Sequence, residues 1–324
     1  MSTNRRDFLK LSACSTGASV LGGCTGRWTP EDSYGRDAAR PNSLAVVATT
    51  GMIADMVRSI GGDAIRLTQL ISAGVDPHLY KPIRDDIVAI VHSKIVFYNG
   101  LKLEGRMADV LGSPTKSDRV HVALSNALDP IDLVGEPGTD AIDPHIWMDV
   151  ALWSKTIPLI RDTLAMRIPE RKEQFAQASD EILQQLISLD EYGVQAMQGI
   201  PTRQRVLISS HDAFQYFGRR YGLRVEGVQG ISTVSEAGLK RIPELIELIS
   251  KNAVPAVFKE SSVAGKMIDA VIEGAADRGL KLKIGNELYS DALGPAGSGA
   301  DSYLGMMKHN FDSVAQALSS RRKP

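Results

Sequence analysis

From residue 44 onward, short apolar runs alternate with longer stretches in which apolar residues recur at helical intervals. Residues 44–48 (Leu-Ala-Val-Val-Ala) read as a strand, and 51–60 carry helical spacing behind the cap candidates Thr49 and Thr50. A strand is expected at 66–71, a helix at 82–92 with Pro82 in its first turn, strands at 94–98 and 119–124, and a helix at 150–164. The second half repeats the scheme, with strands at 205–209, 224–228, 254–258 and 280–284. Helices at 213–221, 236–251, 264–278 and 302–318 fall between or after them. Such alternation predicts parallel sheets covered by helices, the α/β class.

Between the halves, residues 169–198 contain a single glycine, Gly193, and place Phe175, Ile182, Leu186 and Leu189 near helical spacing. At about 1.5 Å per residue, a helix of that length crosses a whole small domain and acts as a strut. Two helices broken near Gly193 are the alternative. The expected fold is α/β, with two Rossmann-like parallel-sheet lobes, 43–166 and 200–324, joined by one long rigid helix over 167–199.

The first residues change the picture of where the chain resides. Arg5-Arg6 precede Phe8-Leu9-Lys10 and an uncharged stretch, 11–23, too short for the ~20 apolar residues that span a bilayer. This resembles a twin-arginine export signal, with an ordinary secretory signal as the alternative. Leu21-Gly22-Gly23-Cys24 resembles a lipobox, which makes 1–23 a removable signal peptide and Cys24 the site of lipidation. Leu11-Ser12-Ala13-Cys14 also matches but leaves almost no apolar region ahead of it. Acyl chains on Cys24, each buried methylene contributing about 0.8 kcal/mol, would hold the protein on a membrane. Residues 24–42 are rich in Gly, Pro, Asp, Ser and Arg without periodicity and read as a flexible tether. The expected location is the cell envelope, periplasmic or on the outer face of the cytoplasmic membrane.

Cys14 and Cys24 are the only cysteines, so the folded body has neither a disulfide nor a thiolate site. Loss of 1–23 removes Arg5, Arg6, Lys10 and Asp7 from totals of 37 basic and 38 acidic residues, leaving 34 and 37 and a net charge of −3. That balance gives no support for nucleic-acid binding.

The candidate chemistry lies in the histidines. Asp76-Pro77-His78 follows a predicted strand, and Asp143-Pro144-His145 precedes a predicted helix. From average composition such a triplet is expected on the order of once in ten thousand positions, so two copies in loops suggest a shared task. Proline limits the backbone ahead of each ring, and Asp76 and Asp143 are candidate partners for an imidazole N–H, as metal-bound histidines usually have. His211 lies where the strand at 205–209 hands over to a helix, and Asp291 follows the strand at 280–284. All four sit where open α/β sheets bind ligands, two from each lobe, which places a metal ion in the cleft. His92, His121 and His309 lie within predicted elements and read as structural, with His309 the nearest in sequence to the Asp291 loop.

The chain resembles the zinc and manganese solute-binding proteins of bacterial ABC importers, solute-binding protein family 9. The resemblance rests on Gly74-Val75-Asp76-Pro77-His78, Asp143-Pro144-His145-Ile146-Trp147, His211-Asp212-Ala213-Phe214, Phe258-Lys259-Glu260-Ser261-Ser262 and Tyr289-Ser290-Asp291-Ala292-Leu293-Gly294, and extends over about 44–318. It implies that His78, His145, His211 and Asp291 bind Zn2+ or Mn2+ as cargo, with Glu260 beside the site. It also implies an ABC permease as partner and a monomeric, non-enzymatic receptor, some relatives of which act as adhesins. Zinc-specific members often carry a long His- and acid-rich loop in the first lobe, whereas the single histidine of 112–143 here is His121. Manganese members often have glutamate at the place of His211, so both ions stay open, with zinc slightly ahead. The rival reading is an exported zinc-dependent hydrolase with Glu260 as its base; no His-Glu-x-x-His pattern supports it.

Overall fold

A computed structural model describes residues 43–112, 118–136, 138–234 and 240–319. The signal segment, the tether and Cys24 lie outside the described residues.

The first half is built on β1 Leu44–Ala48, α1 Gly51–Gly61, β2 Ile65–Gln69, α2 Arg84–His92, β3 Ile95–Tyr98, the short α3 Ala108–Leu111 and β4 Val120–Ala123. The strands form one parallel sheet in the order β2-β1-β3-β4, with Val46 opposite both Leu67 and Ile95, and Ile95 opposite Val120. Because side chains alternate along a strand, Val46 and Ala48 enter the main core with Ile95 and Phe97. Val47 and Val96 face the other way, onto Ile90 of α2. Both faces are thus covered, as the near-continuous apolar strands require.

Helices α4 Val150–Ser154, α5 Ile157–Arg167 and α6 Lys172–Gln198 come next. The helix expected over 150–164 is therefore interrupted, and Pro158 is the reason. At the second position of α5 it has no N–H to donate, and its ring excludes a helical carbonyl four residues back, at Ser154. The expected long helix is continuous: after a 3-10 turn at Pro169–Arg171, α6 runs for 27 residues, about 40 Å. Gly193 does not break it. A Cβ there would lie 2.5 Å from a ring carbon of Phe311, so this glycine exists to let the last helix approach.

The second half comprises β5 Val206–Ser209, α7 Gln215–Tyr221, β6 Arg224–Gly227, α8 Arg241–Asn252, β7 Ala256–Val257, α9 Lys266–Asp277, β8 Lys283–Ile284 and α10 Tyr303–Leu318. β5 pairs with β6 and β7 with β8, all parallel, and the Phe258 N–H donates to the Ile208 carbonyl to join the pairs. β7 and β8 are shorter than the sequence pattern suggests. Pro255 can accept from Lys283 but has no N–H to extend the ladder, and β8 is an exposed edge.

The apolar core is continuous through the strut. Val46 of β1, Trp153 of α4, Phe175 of α6, Leu207 of β5 and Phe311 of α10 all belong to one buried cluster.

Candidate metal centre

The loops at the carboxyl ends of the strands carry the polar residues. His78 follows β2 beyond an exposed run at 72–75. His145 opens a 3-10 turn, Ile146–Met148, that hands over to α4, whose start is capped by Asp149 accepting from the Leu152 N–H. His211 comes two residues after β5, and Asp291 lies in the loop after β8. Beneath them, buried Glu104 accepts from Thr49 and from the Asn99 N–H, tying the ends of β1 and β3 together. Asn99 in turn donates to the Pro144 carbonyl, fixing the residue ahead of His145.

These four side chains converge. One ligand atom from each lies within 4.8 Å of the other three, and all four residues are buried. His145 Nε2 is 3.3 Å from both His78 Nε2 and His211 Nε2. Asp291 Oδ1 is 3.2 Å from His145 Nε2, and Oδ2 is 3.3 Å from His211 Nε2 and 4.0 Å from His78 Nε2. Four donors at about 2.0–2.1 Å from a tetrahedral zinc ion would be separated by edges of about 3.3 Å. Most of the observed separations match.

Carboxylates hold two of the rings from behind. Asp143 Oδ1 accepts from the His145 main-chain N–H at 2.9 Å and from ring Nδ1 at 2.6 Å. Glu260 grips His211 through Oε1 on the main-chain N–H at 2.9 Å and Oε2 on Nδ1 at 2.5 Å. A proton committed to Nδ1 leaves the Nε2 lone pair aimed at the cluster, as ligation needs. Asp76 departs from the expected role. Its Oδ1 takes the main-chain N–H of His78 at 2.8 Å, not the ring N–H, and its Oδ2 accepts from the Thr233 hydroxyl at 2.5 Å.

Among the described residues, both oxygens of buried Asp291 are reached by no hydrogen-bond donor outside the three rings. A buried carboxylate without donors carries a large desolvation penalty, which a cation between it and the imidazole lone pairs would relieve. Without a cation, protons must do the same work. Burial opposes a charge on His145, but Asp143 and Asp291 prevail and push it up to about 9. Burial likewise opposes a charge on His211, yet Glu260 and Asp291 hold it well above the ordinary histidine value. His78 goes the other way, down to about 3, because burial outweighs the pull of Asp291 and the other two rings repel its charge. For Asp291, burial is overcome by His211 and His145, which keep it well below the usual carboxylate range.

The remaining histidines stay out of the cluster. His121 Nδ1 meets the Leu111 carbonyl, and His92 is exposed at the end of α2. His309 meets the Glu287 carbonyl and packs on Tyr289, touching the base of the Asp291 loop but no ligand atom. Several residues brace the site through contacts that the sequence did not predict. Trp147 packs edge-on against His145 and donates to the Ser290 carbonyl, and its own carbonyl accepts from Tyr303. The Tyr216 hydroxyl donates to the Asp143 carbonyl. The only signal for Trp147 is its place two residues after His145, and for Thr233 there is none.

Comparison with known proteins bears on this geometry. Residues 46–317 match the family described as ZnuA, zinc-uptake complex component A, periplasmic. The manganese-binding lipoprotein MntA of Bacillus subtilis is 38% identical over 89% of this chain and 93% of its own. The zinc-binding protein TroA of Treponema pallidum is 37% identical over 96% of this chain and 98% of its own. The fold superposes on the structure of periplasmic zinc binding protein TroA with a TM-score of 0.83, covering 86% of this chain and 100% of that one. The chain belongs to the ZnuA family, that of component A of the zinc-uptake complex.

Proposed function

We propose that this protein is an extracytoplasmic receptor that binds one divalent transition metal ion through His78, His145, His211 and Asp291 and delivers it to the permease of an ABC importer. The observation that carries this reading is the buried Asp291 carboxylate, both oxygens facing imidazole Nε2 atoms. Three neutral imidazoles and one carboxylate suit zinc with one carboxylate oxygen bound, and manganese with both bound. One similar protein is named for zinc and another for manganese at nearly the same identity. We take zinc as the tighter ligand, following the general order of affinities for nitrogen donors. The lobes 43–166 and 200–324 form the two walls of the site, 167–199 holds them apart, and Cys24 anchors the receptor, working as a monomer, to the membrane.

A zinc hydrolase fits less well. Its base would be Glu260, and both Glu260 oxygens are engaged by His211. Titration calorimetry of zinc and manganese into metal-stripped protein tests the receptor reading. We expect one ion per chain, and loss of tight binding in His145→Ala. Unchanged affinity in that variant would remove His145 from the site.

A further inference from the structure

The four ligand residues are not held alike. His145 and His211 are each fixed at main chain and ring by one carboxylate. Asp291 sits on a loop tied down by Trp147 on the Ser290 carbonyl and by Asn310, which both accepts from the Tyr289 N–H and donates to its carbonyl. Tyr216 and Trp147 also bind the His145 segment to the second half of the chain, although that segment precedes the strut in sequence. These three ligand residues thus form one braced unit. Among the described residues, His78 has only the Asp76 bond to its main-chain N–H and the cluster itself.

Two further observations set His78 apart. The loop ahead of it is exposed at 72–75 and turns through Gly74 at φ +73°, with open space where a Cβ would stand. A cleft of about 430 Å³ reaches the cluster and is lined by His78, Leu101, Ile142 and Ser232, but not by His145, His211 or Asp291. An ion leaving by that cleft passes His78 first.

Asp76 connects the two sides of this passage. One oxygen holds the His78 main chain, and the other accepts from Thr233, 157 residues away in the second half and next to cleft-lining Ser232. We infer that the Thr233–Asp76 hydrogen bond is a clasp that positions His78 and sets the rate at which the ion leaves the receptor. The clasp rests on the metal-receptor reading above. When it opens, the exposed loop carries His78 off the ion, and the other three donors keep their places.

The test uses the full chain loaded with Zn2+ and, separately, Mn2+, mixed rapidly with excess chelator. Thr233→Val keeps the shape and removes the hydroxyl. A hydrogen bond to a charged group supports an expectation of about tenfold faster release. Ion stoichiometry should match wild type. Thr233→Ser, which restores the hydroxyl, should release within about twofold of the wild-type rate. Wild-type release from Thr233→Val overturns the clasp, as does loss of stoichiometric binding, which would make Thr233 necessary for holding the ion at all. Should the wild-type chain itself bind neither ion, the receptor reading falls, and the clasp with it.

Discussion

Asp143 and Glu260 each use an oxygen on the Nδ1 of a neighbouring histidine, and that fixes what the two imidazoles can do. Replacing Glu260 with Gln exchanges one acceptor oxygen for an NH2 donor that would face the His211 N–H groups. Glu260→Gln should therefore lower metal affinity by about 10–100-fold, read by competition against a fluorescent chelator. Proton competition gives a second expectation. In the metal-free protein, His145 is raised to about 9 and His211 stands above its ordinary value, so both hold protons near neutrality that a metal ion must displace. Affinity should rise with pH from 5.5 to 8 and fall on acidification, and binding at pH 7 should release protons to the buffer. Calorimetry in buffers of different ionisation enthalpy measures that release; an affinity flat across the range would contradict it. His78, neutral above about 3, adds nothing to the slope in that window. At this scale the sequence is a good guide where chemistry is rare, as in the two Asp-Pro-His triplets. It is a poor one where partners are distant: Asp76 looks equivalent to Asp143 in the chain, and only folding brings Thr233 to it.

Among the elements, α6 carries most of the structural logic. Its buried positions include Phe175, Ser179, Ile182, Leu186, Leu189, Gly193 and Met197, a single stripe at helical spacing against the core. Asp190 lies beside the stripe, forked by Arg220 and bonded to the Tyr221 hydroxyl, which links the strut to α7. Gly193→Leu would drive a side chain into Phe311, and overpacking of this kind destabilises by about 1–3 kcal/mol. The thermal midpoint should drop by several degrees with metal stoichiometry unchanged; an unaltered midpoint would mean that α6 and α10 separate freely. Periodicity made the strut and most strands legible because they bury one stripe or two faces. It missed the break before α5 and overextended β7 and β8, since Pro158 and Pro255 act by withholding an N–H, which an apolar pattern does not register.

For the whole molecule, the shared core limits motion. Trp147, Tyr303 and Tyr216 cross between the halves with hydrogen bonds from buried side chains, and one apolar cluster runs from β1 through α6 to α10. Wide hinge closure would have to expose that cluster. A folded body of roughly 280 residues has a radius of gyration of about 19 Å, and small-angle scattering should find the same value with and without metal. A clearly larger metal-free radius would contradict the strut and favour domain-scale opening over local movement at His78. Two α/β halves could be read from element order alone. Their fusion through a common core could not, because the contacts that make it join residues more than a hundred positions apart.

The most direct test of the metal centre is an anomalous difference map from zinc-loaded crystals. We expect one strong peak enclosed by His78, His145 and His211 Nε2 and the Asp291 carboxylate, at about 2.0–2.2 Å from each ligand atom. A peak elsewhere, with these four side chains bonded only to one another, would contradict the assignment.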